Sequence, residues 1–221
     1  FNEHSSDSLT TLPLLAVAGG SPFNVAIGLA RLKTPVSLLT GISTDFLGER
    51  LVNVLDQEGV SPHYLIRKSA PTTLGFIQHG ADGVPQYAFY GNGAADRVLT
   101  TADTLVDFDH VKAIHFGSYT TVTQPTADAY LALAQREQGQ RVITYDPNIR
   151  PTVEPDMAIW RARFQQFSAC ANLIKISDED LALLFPDSDP HQKAHEWLHQ
   201  GAQLVIITRG SKGVWAYTPT A

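Results

Sequence analysis

The sequence predicts an α/β fold, with helices on both faces of a mostly parallel sheet, and three observations carry that prediction. Five short β-branched runs, Val36 to Thr40, Ala113 to Gly117, Val142 to Asp146, Leu173 to Ile176 and Leu204 to Thr208, read as buried strands. Helix-period segments at about 22–32, 45–58, 124–138, 156–170, 178–185 and 190–200 alternate with them, and such alternation builds βαβ units whose strands run parallel. The 221 residues are 43% hydrophobic and 17% charged, which suits one main core with a small appendage.

The apolar stretch Leu12 to Gly20 comes first. It is short, contains a proline and lacks a basic flank, so it predicts neither a membrane anchor nor a signal peptide. Gly19 and Gly20 then open the first amphipathic helix. After the second helix the rhythm breaks: Tyr64 to Arg67, Thr72 to Gln78 and Gln86 to Tyr90 are strand-like without a helix between them, with Asp82-Gly83 as a turn signal. An antiparallel ribbon set into an α/β core is expected to be a lid over a ligand, or else a surface hairpin without a role. The expected division is a core over 19–63 and 91–221 and a β lid over 1–18 and 64–90. From Ala113 onward strands and helices alternate again. The stretch Pro147 to Pro155 follows a strand end, where open α/β sheets hold their ligands.

Charge and composition exclude several classes. Sixteen Lys and Arg stand against 22 Asp and Glu, a net charge of −6, and no basic run could neutralise a phosphate backbone, so nucleic acid is not an expected partner. The single cysteine, Cys170, rules out an internal disulfide and a Cys-based zinc cluster. It is expected to be a buried thiol in a chain suited to the reducing cytoplasm. His195-Glu196-Trp197-Leu198-His199 matches the H-E-x-x-H zinc pattern, and His191 extends the stripe. The following residues, Gln200 to Ala221, offer no Glu, Asp or His as a third ligand, so a solvated helix face is expected. No G-x-G-x-x-G follows an early strand, which argues against a dinucleotide-binding oxidoreductase.

Three constellations carry chemistry. In Gly19-Gly20-Ser21-Pro22-Phe23-Asn24, the glycine amides, the helix N-terminus and the Asn24 side chain form a polar cup for hydroxyls or an anion; the alternative is an ordinary loop-to-helix junction. Asp146-Pro147-Asn148-Ile149-Arg150 ends a strand, and Arg150 offers a planar fork of donors to phosphate or carboxylate, unless it merely pairs with Asp146. Lys175-Ile-Ser177-Asp178-Glu179-Asp180 and Thr208-Arg-Gly210-Ser-Lys212-Gly213 both follow buried strands. Thr208 and the glycines suit a polyphosphate or a nucleotide base edge, held by hydroxyl and backbone contacts. Ser177 and Asp180, one helical turn apart, suit metal-bound water or else form a helix cap with an acidic first turn.

In this order the motifs resemble the ribokinase-like (PfkB) sugar kinases, and within them the bacterial fructokinases. The likeness also takes in Gly41-Ile-Ser-Thr-Asp45-Phe-Leu-Gly48, Gly59-Val60, Ala94-Ala95-Asp96 and His115-Phe-Gly117-Ser118. It implies a ribokinase-like three-layer α/β/α sandwich with a β-stranded lid, and ATP-dependent phosphorylation of a sugar primary hydroxyl, D-fructose giving D-fructose 6-phosphate. By resemblance Gly19, Gly20, Asn24 and the lid residue Phe89 would hold the sugar, and Arg150 would meet the transferring phosphate. Lys175, Ser177, Thr208, Gly210 and Gly213 would lie along the nucleotide, and Asp180 would reach Mg²⁺ through water. A monovalent cation and a homodimer formed through lid strands are further implications.

Ser177 and Asp180 depart from the Asn and Glu usual in the family, which bears on that metal role. Lys33-Thr34 stand where a helix-ending Gly is usual, a change expected to touch only the cap. The family pattern also includes an opening strand with a sugar-gripping Asp and a later Gly-Ala-Gly-Asp segment whose Asp is the general base; both are expected to lie outside these residues. Without that base the chain would be a binding remnant. The rival substrates are ribose, a keto-deoxy sugar acid such as 2-keto-3-deoxygluconate and a nucleoside, with Phe76, Gln78, Phe89 and Tyr90 deciding among them.

Overall fold

A computed structural model describes residues 2–3, 10, 14–79 and 85–219, and the chain divides into two compact units, Phe1–Val98 and Leu99–Ala221. The Asp82-Gly83 turn signal lies outside the described residues.

The first unit contains β1 (Asn2–Glu3), β2 (Leu14–Leu15), α1 (Ser21–Arg31), β3 (Thr40–Ser43), α2 (Phe46–Gln57), β4 (Leu65–Lys68), β5 (Leu74–His79) and β6 (Pro85–Tyr90). Pro22 enters α1 where the orphan amides of a first turn make its missing N–H harmless. The helix stops when Lys33 turns into the left-handed region at φ 61 and donates its N–H to Ala30 O, so a lysine does there what glycine does more cheaply. Asp45 caps α2 by accepting from Gly48 N. Phe23, Ala26, Ile42, Leu55 and Val60 form the small core beneath these elements.

Two strand expectations need correction. The run Val36 to Thr40 makes only an isolated bridge, Ser37 to Ser61, and the strand proper is Thr40–Ser43. Its location follows from Gly41, where a Cβ would stand 1.9 Å from Ala95 O; the backbones meet at a point only glycine allows. The run at Tyr64 to Arg67 does not join an antiparallel ribbon, because β4 pairs in parallel with β3. The ribbon is the β5–β6 hairpin within a sheet of order β2-β1-β5-β6.

The second unit contains β7 (Ala113–Gly117), α3 (Thr126–Glu137), β8 (Val142–Asp146), α4 (Met157–Ser168), β9 (Leu173–Ser177), α5 (Asp178–Leu184), α6 (Pro190–His199), β10 (Leu204–Thr208) and β11 (Val214–Tyr217). Its five strands lie in chain order, β7 to β10 parallel and β11 antiparallel against β10. Alternate residues of the strands point to one face. Phe116, Ile143, Tyr145, Ile174, Ile176, Val205 and Ile207 are buried there, and aromatic contacts such as Tyr145–Phe167 (5.2 Å) and Phe164–Trp197 (4.9 Å) join strand to helix and helix to helix. Burying such side chains contributes about 1.5–3 kcal/mol each. Asp156 and Asp189 cap α4 and α6, fixing where each helix leaves its loop. No helix among the described residues is long and apolar enough to cross a membrane.

Candidate active site

Because β7 to β10 are parallel, their carboxyl ends share one edge of the sheet. Register sets the partners there: Gly117 lies opposite Asp146, Ile206 opposite Lys175, and Thr208 opposite Ser177. At the first pair the backbones nearly touch. A Cβ on Gly117 would stand 2.5 Å from Asp146 O, and the next residue, Ser118, donates its N–H to the same oxygen at 3.2 Å while held at φ 68. A buried serine in the left-handed region is strained, and such strain clusters at functional sites.

Asp146 and Lys175 form an ion pair, Nζ to Oδ2 at 2.9 Å, and the other Asp146 oxygen is buried with no hydrogen-bond partner. Beyond Asp146 the chain turns through Asn148 at φ 43. Ile149 donates its N–H to Asp180 Oδ1 at 3.2 Å, and the half-buried Arg150 lays Nη1 on Ile149 O at 2.7 Å. The expected alternative, Arg150 paired with Asp146, is replaced by the Lys175–Asp146 pair.

Ser177 caps α5, its hydroxyl accepting from Asp180 N at 3.0 Å, so the cap reading of this pair holds. Asp180 is 8% exposed. Burial pushes its carboxyl up and the nearby Asp146 charge adds to that, while Ser177, the Ile149 amide and Arg150 oppose it. Past Thr208 a tight turn reverses the chain into β11. Gly210 and Gly213 both take positive φ, at 54 and 88; Gly213 donates to Gly210 O, and Arg209 N donates to Gly213 O. Arg209 also stacks on Trp215 at 3.7 Å, a contact with no signal in the sequence beyond an Arg and a Trp six residues apart.

The remaining nominated residues lie in the first unit. Gly20 is the N-cap of α1 at φ 128, with no side-chain cap to occupy the first-turn amides. The Asn24 side chain lies beside Gly19, whose Cβ would sit 3.9 Å from Asn24 Oδ1, and all three residues are exposed. Exposed backbone next to a carboxamide is the setting in which the polar cup was expected. Phe89 lies on β6 with its ring across Gly75. Missed from sequence were the Lys175–Asp146 pair and the strain at Ser118; opposite charges near the ends of adjacent strands were the available signal for the first.

On α6 the Glu of the H-E-x-x-H pattern pairs with Lys193, and His191 meets the Tyr217 hydroxyl at 2.6 Å. Among the described residues no group of three or more His, Cys, Asp or Glu could hold a metal ion. A Mg²⁺ ion carried on a polyphosphate needs only one or two protein carboxylates, and Asp146, Asp178, Glu179 and Asp180 lie at or just past the carboxyl ends of β8 and β9.

Residues 14–221 match the pfkB family carbohydrate kinase model, and the chain belongs to that family; its fold is ribokinase-like. Among its relatives, a fructokinase of Rhizobium leguminosarum bv. trifolii is 39% identical over 201 residues, covering 91% of this chain and 61% of the relative. Fructokinase-2 of Solanum lycopersicum is 30% identical over 220 residues, 97% of this chain and 67% of the relative. The crystal structure of a fructokinase from Xylella fastidiosa superposes with a TM-score of 0.90 at 25% identity, over all of this chain and 72% of that one. The same enzyme with bound ATP gives 0.88. The chain thus spans about 61% of the length of the first of these relatives.

Proposed function

We propose that this chain serves ATP-dependent transfer of a phosphoryl group to a sugar primary hydroxyl, with D-fructose as the sugar and D-fructose 6-phosphate as the product. The observation that carries the reading is the shared carboxyl edge of β8, β9 and β10, which brings Arg150, Lys175, Ser177, Thr208, Gly210 and Gly213 to one side of one sheet. Similarity to a Rhizobium fructokinase, and to a Xylella fructokinase solved with bound ATP, supports it.

Phosphoryl transfer asks a protein mainly for positioning and for charge stabilisation. Arg150 rests on a neutral carbonyl, Ile149 O. An incoming phosphate oxygen is the stronger, charge-assisted acceptor, so the guanidinium would move to it and bind in two-pronged fashion. Lys175 and the glycine turn after Thr208 would lie along the nucleotide, and Mg²⁺ bound with ATP would neutralise the triphosphate. In the first unit the open first turn of α1, with Gly19, Gly20 and Asn24, would take sugar hydroxyls. The β5–β6 hairpin carrying Phe89 would act as a lid that excludes water from a reaction in which water competes with the sugar. Strand β6 lies last in the described order of its sheet, and a homodimer through lid strands would use that edge.

The test is ADP release by the full-length protein with fructose, ribose, glucose and 2-keto-3-deoxygluconate. Preference for fructose supports the reading, and absence of sugar-dependent ADP release removes it. Arg150→Ala is expected to lower kcat by roughly 10²-fold or more, the scale of losing one transition-state donor. The urea midpoint should barely move. Equal losses of activity and stability would make Arg150 a structural residue.

A further inference from the structure

The motif order leads one to expect Asp180 near a metal, but its surroundings assign it to the backbone. We infer that Asp180 is a positioning residue, which fixes the loop from which Arg150 projects and does not act on Mg²⁺. Its influence on turnover rests on the kinase reading above; the loop contact itself does not.

The loop after β8 needs holding. Asn148 sits at φ 43, a conformation that asparagine adopts more readily than most residues but still at a cost that its surroundings must offset. Two contacts on the next residue do so. Ile149 is 2% exposed, so its amide and carbonyl cannot fall back on water. The amide donates to Asp180 Oδ1, 31 residues away in sequence, and the carbonyl accepts from Arg150. Without Asp180 the amide would be a buried orphan.

Asp180 is well placed to act as this strut. Its own N–H is tied to the Ser177 hydroxyl at the start of α5, and Ser177 is in register with Thr208 on β10. The carboxylate therefore projects from a capped helix turn seated on the sheet. With Oδ1 on the Ile149 amide and 8% of the residue exposed, its position is tied to the loop it holds. Arg150 leaves the backbone one residue beyond the clamped amide, so a shift there moves the guanidinium. Misplacing a catalytic group by about 1 Å can cost on the order of 10²-fold in rate.

The experiment compares Asp180→Asn and Asp180→Ala with the parent in the full-length protein, by hydrogen exchange at the Ile149 amide and by Mg²⁺ titration of activity. Asn keeps an oxygen acceptor and loses the charge; Ala loses both. For Ala the expected results are Ile149 exchange faster by roughly tenfold and kcat lower by roughly tenfold or more. Asn should show a clearly smaller change in both, and the half-saturating Mg²⁺ concentration should stay within about twofold of the parent in each. Unchanged Ile149 protection in Asp180→Ala would overturn the inference. So would a large rise in half-saturating Mg²⁺ common to both variants. Should Asp180→Ala fail to fold, exchange in the parent still decides: Ile149 must be among the slowest amides of the loop, and fast exchange there refutes the contact. If no protein releases ADP with any sugar, the kinase reading fails while the exchange result stands.

Discussion

Replacing Asp45 with alanine is expected to destabilise the protein by about 2–4 kcal/mol at neutral pH and to flatten its stability between pH 4 and pH 2. The Asp45 carboxylate accepts from Gly48 N at 2.7 Å, from Thr72 N at 2.8 Å and from the Thr72 hydroxyl at 2.7 Å. Losing a helix N-cap costs about 1 kcal/mol. Leaving the two Thr72 donors without an acceptor adds about 1–3 kcal/mol, at the lower end because the site is only part-buried. The same contacts set the acid response. Burial pushes the Asp45 carboxyl up, but the Thr72 hydroxyl, the Gly48 and Thr72 amides and the Ser43 hydroxyl together outweigh it, moving the group from 3.8 to about 2. A folded value below the unfolded one means stability that is complete above about pH 4 and is lost as pH falls toward 2. At ~1.4 kcal/mol per pH unit the full effect would be near 2.5 kcal/mol, and solvent screening at this half-buried site reduces it to about 1–2 kcal/mol. Urea unfolding of parent and Asp45→Ala at pH 7, 5, 3.5 and 2.5 measures both quantities. A neutral-pH loss under about 0.5 kcal/mol, or parallel acid profiles for the two proteins, would refute the reasoning.

Two further substitutions probe packing and buried charge. Gly48→Ala would place a Cβ 2.0 Å from Ser43 O, so backbone must move; a loss of at least about 1–3 kcal/mol in urea unfolding is expected, and a neutral effect would mean the α2 entry is softer than drawn. Glu137, 5% exposed, lies between Arg136 and Arg141, and Arg141 also donates to Phe108 O and Val111 O. Glu137→Ala strands two cations and should cost about 3–5 kcal/mol by the same assay, whereas a change below about 1 kcal/mol would show that solvent already satisfies them.

Strands β7 to β10 were legible because each is a β-branched run flanked by helix-period text, and local pattern decides a strand buried by its own neighbours. The edge carrying Arg150, Ser177 and Thr208 was legible for a related reason: parallel strands put their carboxyl ends together whatever the register. Register itself was not. Lys175 and Asp146 are 29 residues apart, and opposite charges near two strand ends do not by themselves say that the ladder will set ammonium beside carboxylate. The displacement of β3 from Val36–Thr40 to Thr40–Ser43 has the same origin, since Gly41 looks like a strand breaker until Ala95 arrives against it. The helix starts read well because Asp45, Asp156, Ser177 and Asp189 announce them chemically.

The order of the second unit's strands, each laid beside the one before it, bears on how that unit is made. A ribosome delivers β7 first, and every later strand finds its partner already waiting as the most recently completed edge. Loops closed this way are short, so the entropy spent on each closure is small and the search is brief. Assembly by successive addition also leaves few chances for a strand to dock in the wrong slot while the chain is still emerging.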